Sequence, residues 1–399
     1  MSSSNQPSSM QPLRIAFFSD VYAPQVNGVA VGLQLVARSL RAAGHQLTIF
    51  APTFPGYRDL EAGVYRIPAV RARRTPPIYL ALPGAPRMAL ALRRSRFDVV
   101  HVHTPLALGL LAYVSAHLKG VPLVYTYHTA IADYTHYLGR AGQTRPVRRA
   151  ARRFSALTCN VSDQVVVPSA KFERLLREQN VRRPIHVIPN GIDLERFHNP
   201  SAPGAYRRRL GLEPEAPILL YVGRLDPEKQ PGFLIEAFGR VAADYENAHL
   251  VFAGDGSLRP ALEKQAAASG YNRRIHFLGM VDRGDLPNLF HDADLFLSAS
   301  TTETQCVAIV EAIASGLPVV AVHDEALQEA VVDGVNGRLV PRESAVFSGA
   351  VGALLADRAA LQSFGRASKE ISRNYSVEAQ AAALVRLYHE TAVARASTP

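Results

Sequence analysis

Cysteine is almost missing from this chain: two among 399 residues, Cys159 and Cys306, far apart in sequence. That excludes a disulfide framework and any zinc-type ligand spacing, and it suits a reducing cytoplasm. Long apolar runs are missing too. No window holds about 18 uninterrupted apolar residues, so no membrane-crossing helix is expected. The most apolar loop-like stretch, PPIYLALPGAPRMALAL at 76–92, is broken by Pro83, Pro86 and Arg87. The opening MSSSNQPSSMQP has neither a basic start nor an apolar run, so 1–12 reads as a disordered tail and not a signal peptide. There is no internal repeat and no low-complexity tract. The absence of G-x-G-x-x-G counts against a dinucleotide-binding fold of the NAD type.

What is present is ordinary globular composition, 48% apolar and 20% charged, in a length that suggests two domains. The charge is uneven. Residues 1–200 carry 25 Lys and Arg against 10 Asp and Glu; residues 201–399 carry 19 against 24. The first half is therefore at about +15 and the second at about −5, which implies different partners for the two. Nucleic acid and an anionic membrane both suit a basic half. No recognised nucleic-acid module or stacking aromatic array accompanies it, so no nucleic acid partner is expected. Two stretches fit a membrane surface: 71–96, with Arg71, Arg73, Arg74, Arg87, Arg93, Arg94 and Arg96, and RAGQTRPVRRAARR at 140–153. A solvated basic helix is the plainer alternative.

The pattern along the chain alternates strand and helix. LRIAFFS (13–19), HQLTIFAP (45–52), FDVVHVHT (97–104), PLVYTYHT (122–129), QVVVPS (164–169) and IHVIPN (185–190) read as strands with helical patterns between most of them. NGIDLERFHNPSAPG (190–204) reads as a link. The rhythm restarts at PILLYVGRL (217–225) and runs through AHLVFAGDG, RIHFLGM, ADLFLSAS and PVVAV. The fold class expected is α/β: two doubly wound, Rossmann-like domains, at 13–198 and 199–375, followed by a helix and tail at 376–399. In such sheets ligands sit beyond the carboxyl ends of the strands.

Four loops at those ends hold candidate chemistry. Asn27-Gly28 precedes a helix, where glycine lets the backbone approach an anion; a plain βα turn looks the same. Arg224 and Lys229 in GRLDPEKQ suit a diphosphate, or are a solvated pair. AGDGSL (253–258) is a glycine-rich turn with or without a ligand. In TTETQCVAIVEAIASG (301–316), Glu303 stands at a strand's end before a helix whose first amides, Thr304 to Val307, can hold a phosphate. Glu311 lies inside that apolar helix, where a carboxylate needs donors: ribose hydroxyls, or a nearby arginine. Glu303 is otherwise an acid favoured by the helix dipole.

The run Glu303-x7-Glu311 followed by AIASGLPVV resembles the donor-binding signature of the family 4 retaining glycosyltransferases, as do GRLDPEK, FAGDG, FLGMV and VIPNGID. The resemblance spans about 13 to 390. DVYAPQVNGV, VHTPLALGLL, YTYHTAIADYTHYL and TTETQ are similar to the branch of diacylglycerol glucosyltransferases and glycolipid synthases.

The resemblance implies the GT-B architecture, two domains facing a cleft with the C-terminal helix returning to the first domain, which would bind the acceptor. It implies that Arg224 and Lys229 bind the diphosphate of a nucleotide sugar and that Glu311 takes the ribose hydroxyls. Glu303 with Thr304, Gln305, Cys306 and Val307 would hold the donor sugar, Met280 and Val281 the base, and Gly28 the phosphate. His128 would stand at the reacting centre; as a bare residue after a strand it is more often structural.

The expected activity is hexose transfer from UDP-glucose or UDP-galactose to a membrane lipid such as diacylglycerol, at the inner face of the cell membrane. Neither cofactor nor metal is expected. The alternatives are a soluble or phosphoinositide-type acceptor, or a sugar-nucleotide epimerase of the same architecture. Two departures bear on the donor sugar. Cys306 stands where the family often has glycine, and HDEAL (323–327) stands where many members have Gly-Gly. Asp292-Ala293-Asp294 resembles the metal-binding Asp-x-Asp of another glycosyltransferase fold, but it precedes a buried strand and reads as structural.

Overall fold

A computed structural model describes residues 11–25, 27–59, 61–72, 78–82, 92, 94–128 and 144–396. The chain divides into two compact units. The first holds residues 1–168, 173–188 and 380–399; the second holds 169–172 and 189–379. The passage at 188/189 has a backbone cause. Ile192 donates to the Tyr375 carbonyl at 2.9 Å, and Val377 donates to the Ile192 carbonyl at 3.0 Å, which ties the NGID segment to the second unit.

Seven parallel strands form the first unit's sheet. They are β1 (Arg14–Phe18), β2 (Gln46–Pro52), β3 (Val64–Ile67), β6 (Val99–Val102), β7 (Leu123–Thr126), β8 (Gln164–Val167) and β9 (Ile185–Val187). Their spatial order is β3-β2-β1-β6-β7-β8-β9. The order reverses direction between β1 and β6, the topological switch point of a doubly wound sheet. Separately, β4 (Ala69–Ala72) pairs antiparallel with β5 (Ile78–Ala81). This corrects the sequence expectation of loop there. The prolines at 76 and 77, which lie outside the described residues, gave the sequence its loop-like character. The C-terminal helix Val377–Ala396 belongs to the first unit from Gln380 onward. Its Arg395 donates to Asp163 at 2.7 Å.

The second unit has six parallel strands: β10 (Ile218–Val222), β11 (His249–Ala253), β12 (Ile275–Gly279), β13 (Leu295–Ser298), β14 (Val319–Val322) and β15 (Gly337–Val340). Their order, β12-β11-β10-β13-β14-β15, reverses between β10 and β13. The apolar runs of these strands follow from burial on both faces. Ile218, Leu220 and Phe296 enter one core while Leu219, Tyr221, Leu295 and Leu297 enter the other, as a period of two demands. Among the described residues no single helix is long and apolar enough to cross a membrane.

Candidate active site

Two loops meet at the second unit's switch point. The loop after β10 begins at Gly223 and closes as a single 3-10 turn, Pro227–Lys229. It is clamped from behind by the glycine-rich turn after β11. A Cβ on Gly254 would sit 1.9 Å from the Gly223 carbonyl oxygen, and one on Gly256 would sit 2.5 Å from the Leu225 backbone. No other residue fits at these two positions, so AGDGSL serves the packing of one loop on another. Asp226 accepts from the Ser257 amide and hydroxyl at 2.9 and 2.8 Å, which fixes the same pair of loops.

Lys229 and Glu303, 74 residues apart in sequence, form an ion pair at 2.6 Å. Both are well buried, with side chains 19% and 8% exposed. Arg224 is paired with Asp226 and Glu228 on its own loop, and its side chain is 45% exposed. Each cation thus carries its own counter-acid, which offsets the cost of removing it from water.

After β13 the chain turns through 299–306 into the helix Val307–Ala314, with Cys306 as its N-cap. That start lies later than the sequence pattern suggested. The Cys306 side chain makes no cap hydrogen bond, because a thiol is a weak acceptor. Burial pushes this thiol up to about 12, and the nearby charges of Glu303, Lys229 and Glu311 all act on it. The Gln305 side chain is engaged with Asn190, accepting from the backbone amide at 2.6 Å and donating to the carbonyl at 3.0 Å. The Thr304 carbonyl accepts from the Ser169 hydroxyl at 2.8 Å. Met280 is largely exposed and Val281 packs against the core.

Glu311 is 4% exposed, deep in its helix. Arg283 donates to its Oε1 at 3.2 Å. Burial raises the carboxyl to about 7, with Arg283 and then Arg196 pulling it down. Asp292 and Asp294 are structural, as expected. Asp292 accepts from the amides of Gly204 and Tyr206 at 2.5 and 2.7 Å, and Asp294 accepts from Arg207 at 2.7 Å.

The histidines at the first unit's strand ends are neutral. His128, just past β7, shares a hydrogen bond between its Nε2 and Nδ1 of His103 at 3.1 Å. His101 bridges the Tyr388 hydroxyl and Thr126 Oγ1, both at 2.6 Å. Burial lowers all three imidazoles, His128 to about 4, so they are uncharged at neutral pH. Asp20, past β1, accepts from the Thr104 hydroxyl at 2.8 Å and is pushed up to about 6 by burial. Asn27 caps the helix Gly28–Ala42 by accepting from the Ala30 amide at 2.9 Å, and Gly28 is exposed at its first position.

Sequence reasoning missed His103 and Arg283. His-Val-His in a strand places both histidines on one face, and that alternation was a readable signal. Nothing in FLGMVDRGD marked Arg283 as the partner of an acid 28 residues on.

Comparison with solved structures identifies the fold. The chain superposes on HepE from Anabaena in complex with UDP at a TM-score of 0.76, with 20% identity, covering 95% of this chain and all of that one. Sucrose-phosphate synthase from Thermosynechococcus elongatus gives 0.75, with 22% identity over 96% of this chain and all of the other. Two doubly wound parallel sheets of this kind define the GT-B class.

Residues 26–196 match the profile of Glycosyltransferase Family 4, and 204–371 match that of Glycosyl transferases group 1. An alpha-monoglucosyldiacylglycerol synthase of Acholeplasma laidlawii is 32% identical, covering 82% of this chain and 84% of the relative. A GDP-mannose-dependent alpha-mannosyltransferase of Mycobacterium tuberculosis is 31% identical with the same two coverages. The chain belongs to the family 4 and group 1 glycosyltransferases and is a glycosyltransferase of the GT-B fold.

Proposed function

We propose that the enzyme moves a hexose, with retention of configuration, from a nucleoside-diphosphate sugar to a membrane lipid such as diacylglycerol. UDP-glucose is the first donor to test and UDP-galactose the second. The observation that carries the donor half is the meeting of Lys229, Glu303 and Arg224 at the carboxyl ends of β10 and β13. When the glycosidic bond breaks, negative charge gathers on the departing diphosphate. Arg224, Lys229 and the amides leading into the 307–314 helix would stabilise it, each fixed donor worth about 3 kcal/mol. The leaving phosphate itself would take the acceptor's proton. Glu303 would orient the sugar hydroxyls, Glu311 would accept from the ribose, and Met280 and Val281 would flank the base. Gln305, its side chain already engaged by Asn190, would offer its backbone, as would Thr304, Cys306 and Val307. Gly28 and His128 keep the phosphate and sugar roles that the resemblance implies. Because His128 is neutral above about pH 4, it would act by hydrogen bonding and not by charge.

The acceptor half rests on relatives and on surface chemistry. Two similar enzymes, from Acholeplasma laidlawii and Streptococcus pneumoniae, are alpha-monoglucosyldiacylglycerol synthases. In the first unit, Arg145, Arg149, Arg152 and Arg153 are exposed on the helix Arg145–Asn160, alongside Phe154 and Leu157. Leu110 and Leu118 are 65% and 79% exposed on the helix Ala107–Lys119. Apolar side chains beside arginines suit an anionic bilayer surface. Of the other arginines expected there, Arg73, Arg74, Arg87, Arg93 and Arg140 lie outside the described residues.

The deciding experiment incubates the protein with UDP-glucose, UDP-galactose and GDP-mannose against a mixed lipid extract, and reads the product by mass. A hexosyl-diacylglycerol is expected. A product only on an inositol phosphate would redirect the acceptor; relatives named D-inositol 3-phosphate glycosyltransferase are 35% identical over 68% of this chain. Conversion of the donor sugar without any acceptor would indicate an epimerase and overturn the transfer reading.

A further inference from the structure

Glu311 is a carboxylate inside an apolar helix, and its surroundings are specific. The helix Val307–Ala314 contributes Ile309, Val310, Ile313 and Ala314 to the core, so Glu311 has apolar neighbours on its own element. Among the described residues, the side chain that donates to it is Arg283, from the turn after β12. Arg283 is itself held, because its backbone carbonyl accepts from the Arg196 guanidinium on the helix Leu194–His198. A second link fixes the turn: Asp282 accepts from the Gly284 amide at 2.6 Å. Two titratable groups on the neighbouring helix Leu286–Asp292 are engaged elsewhere. Asp292 accepts from the amides of 204, 206 and 207, and His291 shares a hydrogen bond with the Phe197 carbonyl at 2.7 Å. Glu311 therefore has two cations, Arg283 in contact and Arg196 behind it, with Cys306 as its nearest titratable neighbour.

We propose that Arg283 is a positioning residue for the nucleotide: its hydrogen bond to Oε1 orients Glu311 and leaves the other lone pairs of the carboxylate to accept the two adjacent hydroxyls of a ribose. This rests on the donor site described above and adds a residue that none of the motif spacings contains. A carboxylate accepts about four hydrogen bonds, and Arg283 supplies one. A protonated carboxyl would turn a donor toward the diol and lose one of the two acceptors needed. Burial pushes Glu311 up to about 7 even with Arg283, the first influence opposing it, and Arg196 in place. Removing that guanidinium moves the titration further into the working range, so recognition of the ribose becomes pH-dependent.

The test uses the full chain and calorimetric binding of UDP and GDP, each beside its 2′-deoxy analogue, at pH 7 and pH 9. The ratio of ribo to deoxy affinity cancels the titration of the diphosphate. Wild type, about half ionised at pH 7, is expected to raise its ratio only about twofold at pH 9. Arg283→Met is expected to lose about tenfold of the ratio at pH 7, as the ionised fraction of Glu311 falls, and to regain it at pH 9. Arg283→Lys, which keeps the charge, is expected to retain most of it at pH 7, and this variant covers the case in which methionine disturbs the turn. An Arg283→Met protein with an unchanged ratio at both pH values overturns the proposal. So does a loss equal at pH 7 and pH 9, which marks a merely structural role. If wild type binds neither ribonucleotide, the donor site itself fails; if wild type discriminates through Glu311 but Arg283→Met is indifferent, only the role of Arg283 fails.

Discussion

The two sheets share a winding order but end in opposite chemistry. At the carboxyl ends of the first unit's strands His101, on β6, and His103 and His128, past β6 and β7, are all neutral, beside the hydroxyls of Thr104 and Thr126 and the carboxyl of Asp20. Beyond those of the second stand Arg224, Lys229, Glu303 and Glu311, each cation beside an acid. The contrast follows from desolvation. A buried imidazole sheds its proton for a modest cost, while a guanidinium cannot, so arginine at a strand end must bring a partner. A neutral end offers hydrogen bonds to alcohols and sugars. A charged end, with acids poised to release their cations, offers a place for an anionic leaving group.

Breaking the charged end should cost most. Arg224→Ala and Lys229→Ala are each expected to lower turnover about 100-fold or more, close to 3 kcal/mol, the first with unchanged melting temperature and the second with a lowered one, since it leaves Glu303 buried and unpaired. Turnover equal to wild type in both would remove the diphosphate from that loop. Next in size is a stability effect of opposite sign at Glu311. Its folded-state value, about 7, lies above the ordinary 4.5. Its favourable contribution is thus complete below about 4.5 and is lost as pH rises through 7. Glu311→Gln is expected to gain roughly 2–3 kcal/mol at pH 8 and nothing at pH 4, read by melting scans at both, while losing nucleotide affinity.

The neutral end gives the mirror case. His128 is lowered from 6.5 to about 4, so its contribution is present above 6.5 and lost as pH falls toward 4. His128→Asn should therefore flatten the acid loss of stability by about 1–2 kcal/mol between those values. An equally steep decline would mean that His128 is solvated. The smallest effects belong to the exposed helix of the first unit. Arg149→Ala and Arg152→Ala should each weaken binding to anionic vesicles by about 1 kcal/mol, read by flotation. Recovery from the soluble fraction whether or not anionic lipid is present would detach the membrane from this unit.

The hairpin β4–β5 shows where pattern failed: its strands are four residues each, and prolines between them read as loop. AGDGSL shows a glycine-rich turn whose glycines answer to packing, Gly254 against the carbonyl of Gly223 and Gly256 against the backbone of Leu225. Gln305 shows a contact that spacing does not reveal: its side chain is held by Asn190, 115 residues earlier.

Most of the strands, their rhythm, the split into two α/β units and the loops carrying Arg224, Lys229, Glu303 and Glu311 were determined by the chain's own order of residues; β3, β15 and the β4–β5 hairpin were not legible there. Such features rest on local periodicity and on turn chemistry, which neighbours within a few positions decide. Pairing was settled only by the tertiary structure: Lys229 with Glu303, His103 with His128, Arg283 with Glu311. Those partners lie 25 to 74 residues apart, and it is strand order and loop packing, not spacing, that carries one to the other.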